Sequence, residues 1–114
     1  MYLTLFLKYY LSAKMSNPAS IYRITDDNVI ETRNSLCPTL MANMGTYHDR
    51  VPVVRDNYGI RKLTIRECLN FQGFPSDFTF PNTITIEDAY KQIGNSVCIP
   101  VVKRIAERIR PLLA

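Results

Sequence analysis

Arg61-Lys62-Leu63-Thr64-Ile65-Arg66-Glu67-Cys68-Leu69-Asn70-Phe71-Gln72-Gly73-Phe74-Pro75 and Ala89-Tyr90-Lys91-Gln92-Ile93-Gly94-Asn95-Ser96-Val97-Cys98-Ile99-Pro100-Val101 decide how this chain reads. Thr64 and Glu67 form a capping box: the hydroxyl can accept from the backbone N–H three residues on, and the carboxylate can reach back. The short helix that follows is expected to end at Gly73, with Pro75 just beyond. Thr85-Ile86-Glu87-Asp88 opens a second short helix in the same way, running to Gly94, and residues 76–84 link the two. Asn95 or Ser96 then caps a third helix, with Pro100 in the first turn, where its missing N–H is tolerated. Val97, Val101, Ile105 and Ile109 recur every four residues, while Lys103, Arg104, Glu107 and Arg108 take the other face. That pattern predicts a surface helix docked by one stripe. The Gly94-Asn95-Ser96 junction offers polar side chains and helix N-terminal N–H groups, as a small-ligand or anion site would.

Upstream, Asn17-Pro18-Ala19-Ser20 is a break. Ile21–Ile24 and Val29–Glu31 read as two short strands of a hairpin, with Asp26-Asp27-Asn28 as its turn. Residues 32–59 are loop-rich, and Val51–Val54 is their one strand candidate. A loop-rich stretch of that length inside a small chain is usually functional. At the N-terminus, Lys8 interrupts a short apolar run, no basic residue precedes it, and Leu11-Ser12-Ala13 is a poor cleavage site. It is not expected to be a secretion signal, and no run approaches the roughly 20 apolar residues of a membrane span. Leu3, Leu5, Phe6, Leu7, Tyr10 and Leu11 are instead expected in a buried or partner-facing segment. There are no internal repeats.

A chain of 114 residues allows one domain at most. With 46% apolar and 21% charged residues, wholesale disorder is excluded. Three cysteines, an odd number, argue against a disulfide scaffold and for a reducing compartment. One histidine and three scattered cysteines make a poor zinc set, so no metal site is expected. Fourteen basic against ten acidic residues give +4. The excess sits mostly in residues 61–114, with eight basic and five acidic against six and five before them. That balance is compatible with an anionic partner and does not establish one.

The two stretches resemble the last two signature motifs of the DNA (cytosine-5) methyltransferases, R-K-L-T-x-R-E-C-x-x-x-Q-G-F-P followed by Y-K-Q-x-G-N-S-V-x-x-P-V. So many matches in order, with a short spacer, are highly specific. Ser35–Thr46 is similar to the C-P-T-L-T-A-N-M-G-T stretch of that family's target-recognition region, and Lys8–Met15 is weakly similar to a further piece. The resemblance implies an α/β fold: a C-terminal fragment of a Rossmann-like, S-adenosylmethionine-dependent methyltransferase. In it a β-hairpin recognition remnant precedes three C-terminal helices. Residues 1–60 would be part of the target-recognition region and residues 61–114 the closing motifs. Thr39, Ala42, Asn43, Met44, Gly45 and Thr46 would lie against double-stranded DNA, where small residues permit close approach and Asn can read a base edge. Gln92, Gly94, Asn95 and Ser96 would line the S-adenosylmethionine pocket. Arg61, Lys62, Arg66 and Glu67 match the penultimate motif, with Arg61, Arg66 and Glu67 as structural organisers.

The family's chemistry flips the target cytosine out of the duplex and attacks its C6 with a cysteine thiolate. It uses a Pro-Cys-Gln loop, a Glu-Asn-Val segment, a Phe-x-Gly-x-Gly cofactor loop and a Gln-x-Arg-x-Arg segment, none of which occurs in these residues. Cys37-Pro38 reverses the nucleophile dipeptide, and Asp27-Asn28-Val29 is one methylene short of the glutamate motif. Cys68 and Cys98 read as buried small residues, and His48 as a surface or phosphate-contacting side chain. No catalytic residue is therefore assigned. Three readings follow: a split subunit of a restriction-modification methyltransferase whose partner polypeptide carries the catalytic cysteine; an inactive truncated remnant; or a stand-alone DNA-binding module. The position of Met1 inside recognition-like sequence favours the first two. The expected location is the cytoplasm of a prokaryote or a phage host, with no membrane contact.

Overall fold

A computed structural model describes residues 11–25, 28–32, 36–46 and 50–113. Two compact units divide the chain: Met1–Leu40 with Tyr47–Leu63, and Met41–Thr46 with Thr64–Ala114. The division falls three residues beyond the expected boundary at 60/61, and the second unit also claims an internal segment of the first half.

The first unit is a four-stranded sheet in the order β2-β1-β3-β4, with every neighbouring pair antiparallel. The expected hairpin is present. β1 (Ile21–Ile24) pairs with β2 (Val29–Glu31) in the register Tyr22↔Glu31, and Thr25 and Asn28 exchange backbone hydrogen bonds across its turn. Asp26 and Asp27 lie outside the described residues. β3 (Val53–Asp56) and β4 (Gly59–Lys62) form a second hairpin over Asn57-Tyr58. Its turn has an evident chemistry. The Asp56 carboxylate accepts from the Tyr58 N–H at 2.9 Å and from Arg61 Nε at 2.8 Å, while Gly59 takes a φ of 130° that a side chain would strain.

Leu11, Met15, Tyr22 and Val53 form the core of this unit, with Ile24, Val29 and Ile60 against it. Residues 11–14 are helical and lie close to β3, because Arg55 donates to the carbonyls of Met15 (3.0 Å) and Ser12 (3.4 Å). The buried Tyr22 hydroxyl is satisfied by the Asn17 backbone, donating to its carbonyl and accepting from its N–H. Of the apolar residues expected near the N-terminus, Leu11 is in this core and the others lie outside the described residues.

The second unit is helical. α1 (Ile65–Phe71) begins at the expected capping box: Thr64 Oγ1 accepts from the Glu67 N–H (3.1 Å), and Glu67 Oε2 accepts from the Thr64 N–H (2.8 Å). It ends as expected, with Gly73 at φ 75° and the N–H groups of Phe74 and Gly73 returning to the carbonyls of Leu69 and Asn70. α2 (Ile86–Asn95) starts at Thr85, whose hydroxyl accepts from the Asp88 N–H, and Glu87 and Asp88 complement the helix dipole. α3 (Ile99–Ile109) closes the unit and runs into a 3₁₀ turn, Arg110–Leu112. α1 packs on α2, and a 3₁₀ turn at Ala42–Met44 packs along α2. Met44, Cys68, Leu69, Ala89 and Ile93 are the buried apolar residues.

The sheet of the described residues is wholly antiparallel, and the Rossmann-like sheet implied for the complete fold is not among them. Three sequence expectations change. α2 does not stop at Gly94 but passes through it to Asn95. α3 is capped by Cys98 rather than by Asn95 or Ser96, although Pro100 does fall in its first turn. The predicted stripe on α3 is there, but it is exposed along its whole length instead of docked.

Gly94 is retained within α2 for a tertiary reason. A Cβ there would run into the backbone of Met41 and Ala42. A glycine inside a helix costs roughly 1 kcal/mol against alanine, whereas overpacking against groups that cannot yield costs about 1–3 kcal/mol or more. Gly94→Ala is therefore expected to destabilise the helical unit by about 1–3 kcal/mol in urea unfolding, although alanine is the better helix former. A stabilised variant would mean that Met41–Ala42 does not sit on α2.

Candidate functional site

The conspicuous local arrangement is the meeting of Met41–Thr46 with α2. The chain enters the turn through Leu40, buried in the sheet unit, and the N–H groups of Met44, Gly45 and Thr46 return to the carbonyls of Met41, Ala42 and Asn43. Met44 is 1% exposed. Gly45 lies on α2, where a Cβ would meet the Glu87 carbonyl and stand 2.8 Å from Lys91 Cβ. Gly94 receives the other end of the turn. Two glycines, one on each partner, thus let main chain approach main chain.

This arrangement sorts the six residues expected to face DNA. Thr39 and Thr46 are exposed, while Ala42, Asn43 and Gly45 are half-buried and Met44 is core. Asn43 Oδ1 is fully buried and, among the described residues, has no hydrogen-bond partner. Leaving a buried acceptor unpaired costs roughly 1–3 kcal/mol.

The four residues expected at a cofactor are also sorted. Gln92 and Asn95 are exposed on the last turns of α2. Gly94 is turned to Met41 and Ala42, not to an open pocket. The Ser96 hydroxyl donates to the Ile93 carbonyl at 2.6 Å, which ends α2 instead of starting α3. Three N–H groups about this junction are engaged: Ser96 donates to Ile93, Ile99 to Gln72 (2.9 Å) and Val102 to Cys98. Gln92 and Asn95 thus place two exposed amides at the C-terminus of α2. Each of those amides can both donate and accept hydrogen bonds.

The organiser residues act locally. Arg66 donates to the carbonyls of Pro75 and Phe78 and so ties down the loop after α1. There Phe74, Phe78 and Phe80 meet in sequence, the first pair tilted and the second edge to face, with centroids 4.8 and 5.4 Å apart. Glu67 completes the capping box, and Arg61 pairs with Asp56 across the second hairpin. An open depression of about 480 Å³ lies beside Arg66, lined by Ile65, Leu69, Phe80, Ile84 and Ala89 among others. Gln72 was given no role by sequence reasoning, yet its carbonyl holds the start of α3 and its side-chain amide lies 3.4 Å from the Ile93 carbonyl. Its place between Phe71 and Gly73 was the available signal. His48 lies outside the described residues.

The family model for C-5 cytosine-specific DNA methylase matches residues 8–111. The chain belongs to this family. Among its relatives, it is 50% identical over 99 residues to the type II methyltransferase M.Bsp6I of Bacillus sp. (strain RFL6), covering 87% of this chain and 31% of that protein. It is 37% identical over 103 residues to the type II methyltransferase M.MspI of Moraxella sp, covering 90% and 23%. With M.SsoII of Shigella sonnei it shares 57% identity over 49 residues, 43% of this chain and 12% of that one. The chain thus spans about a third or less of the curated relatives it matches. No solved structure gives a significant match. Among the described residues no group of side chains could hold a metal ion, and no helix is long and apolar enough to cross a membrane.

Cys37 is the cysteine nearest in sequence to the recognition turn, and it is unsuited to attack. Burial pushes its thiol up to about 11, and the S–H donates to the Pro38 carbonyl at 3.3 Å. The thiolate is the nucleophile, and it forms only as pH rises through that value. Alkylation of Cys37 by iodoacetamide, followed by peptide mass, is expected to stay slow through pH 9 and to accelerate only towards pH 11. Half-maximal reactivity at pH 8 to 9 would contradict the assignment.

Proposed function

We propose that residues 1–114 are the target-recognition and closing portion of a DNA cytosine-5 methyltransferase, and that they work with a polypeptide carrying the catalytic cysteine. What carries the reading is the family match over residues 8–111, taken with a sequence in which none of the seven prolines is followed by cysteine. The pocket for S-adenosylmethionine, which supplies the methyl group, is shared. Asn95 and Gln92 supply one wall by hydrogen bonding, and the complementary portion supplies the rest. Thr39 and Thr46 offer hydroxyls to double-stranded DNA, while Asn43 and Gly45 hold the shape of the turn between them. The parallel, Rossmann-like sheet belongs to the complementary portion, in a prokaryotic or phage-host cytoplasm.

M.Bsp6I provides the complement for a test, as the part of that protein outside the stretch this chain matches. Co-expression of the two polypeptides is expected to yield 5-methylcytosine in host DNA by bisulfite sequencing, with neither alone doing so. Absence of 5-methylcytosine on co-expression would remove the reading.

A further inference from the structure

The turn Met41–Thr46 contains no charged side chain. A segment laid against double-stranded DNA draws its sequence-independent affinity from cations that displace counterions at phosphates. For this turn such a cation has to come from a neighbouring element. In the helical unit before α3, the only basic residues are Arg66 and Lys91. Arg66 is occupied by the carbonyls of Pro75 and Phe78. Lys91 is exposed, and no hydrogen bond or ion pair engages it among the described residues.

Lys91 also sits where that cation is needed. Glu87, Lys91 and Gly94 follow one another at helical spacing on one face of α2. That face carries the turn: Gly45 lies on the Glu87 carbonyl and on Lys91, and Gly94 lies on Met41 and Ala42. Lys91 is thus between the two contacts. A Cβ on Gly45 would stand 2.8 Å from Lys91 Cβ, so the bare glycine leaves room for the lysine stem to pass the turn. Such a stem lies along protein while its ammonium stays in water. Thr46, the residue after Gly45, is exposed as well. Glu87 is one turn earlier, in the favourable order for a helical ion pair, but the two side chains do not pair.

We propose that Lys91 is a phosphate contact for double-stranded DNA, set beside the recognition turn by the bare backbone of Gly45. The proposal rests on the functional reading above, but it is tested by binding rather than by methylation. An ammonium is a compact point charge suited to a phosphate oxygen, and a phosphate contact fixes register without reading sequence. The full chain is titrated onto two fluorescein-labelled duplexes of unrelated sequence and followed by fluorescence anisotropy between about 50 and 200 mM salt. Lys91→Gln is expected to weaken binding to both duplexes about tenfold at the low end, and to reduce the slope of log affinity against log salt by about 0.9. Lys91→Arg is expected to keep the wild-type slope. Lys103→Gln, on α3, removes the same charge and is expected to leave the slope unchanged. All three replace exposed side chains, so far-UV circular dichroism and urea unfolding should match wild type.

No binding by wild-type chain, or a slope indifferent to Lys91→Gln, would overturn the proposal. So would an equal fall in slope with Lys103→Gln, which would reduce the change to net charge. A loss confined to one of the two duplexes would overturn it too, by making Lys91 a base contact. A slope that depends on Lys91, with no 5-methylcytosine on co-expression, would remove the functional reading and leave the phosphate contact standing. Methylation with a slope indifferent to Lys91 would do the reverse.

Discussion

The closest approach in the helical unit is between two stretches of main chain, and it exists because Gly94 has no side chain. α2 presents bare backbone to Met41 and Ala42, and Gly45 returns the accommodation where the turn passes Glu87 and Lys91. The roughly 1 kcal/mol that a helix loses by carrying glycine is set against burial of Met44, of the order of 1.5–3 kcal/mol for such a side chain. Burial exceeds propensity, and α2 continues to Asn95. Much else in the unit follows. The turn belongs with the helices although Leu40 before it belongs to the sheet unit. Ser96 closes α2, and the chain needs Val97 and Cys98 before Pro100 can begin α3.

Local chemistry was the legible part. Thr64 with Glu67, and Thr85 with Asp88, satisfy helix N-terminal N–H groups within four residues, so their meaning does not depend on the rest of the fold. The same holds for Gly73 and for the first hairpin. The second hairpin is not evident in the sequence, where Val51–Val54 is the one strand candidate of a loop-rich stretch, although Asp56-Asn57-Tyr58-Gly59 carries turn chemistry of its own. Gly94 resembled a helix stop because close approach and termination call for the same residue, and only tertiary contact separates them. Asn95 and Ser96 are good capping residues, but the Ser96 hydroxyl is taken by Ile93. The α3 stripe was readable from spacing; what covers it was not, since that information is absent from these residues.

The same contact joins two parts of the candidate site. Residues similar to the family's recognition stretch and residues of its closing motif are adjacent through Gly94, so Asn95 and the Met41–Thr46 turn share one support. Neither can shift by much without disturbing the other, because two backbones in contact have no side chain between them to absorb movement.

Native-state hydrogen exchange tests that junction most directly. The amides of Met44 and Gly45 bond only within a 3₁₀ turn, to Met41 and Ala42 at 3.1 and 3.2 Å, and a turn of that kind standing alone would give little protection. If the turn is seated on α2, Met44 and Gly45 exchange with the same opening free energy as Ala89 and Ile93. Exchange of Met44 and Gly45 at the rate of unprotected amides, with Ala89 and Ile93 still protected, would contradict the account.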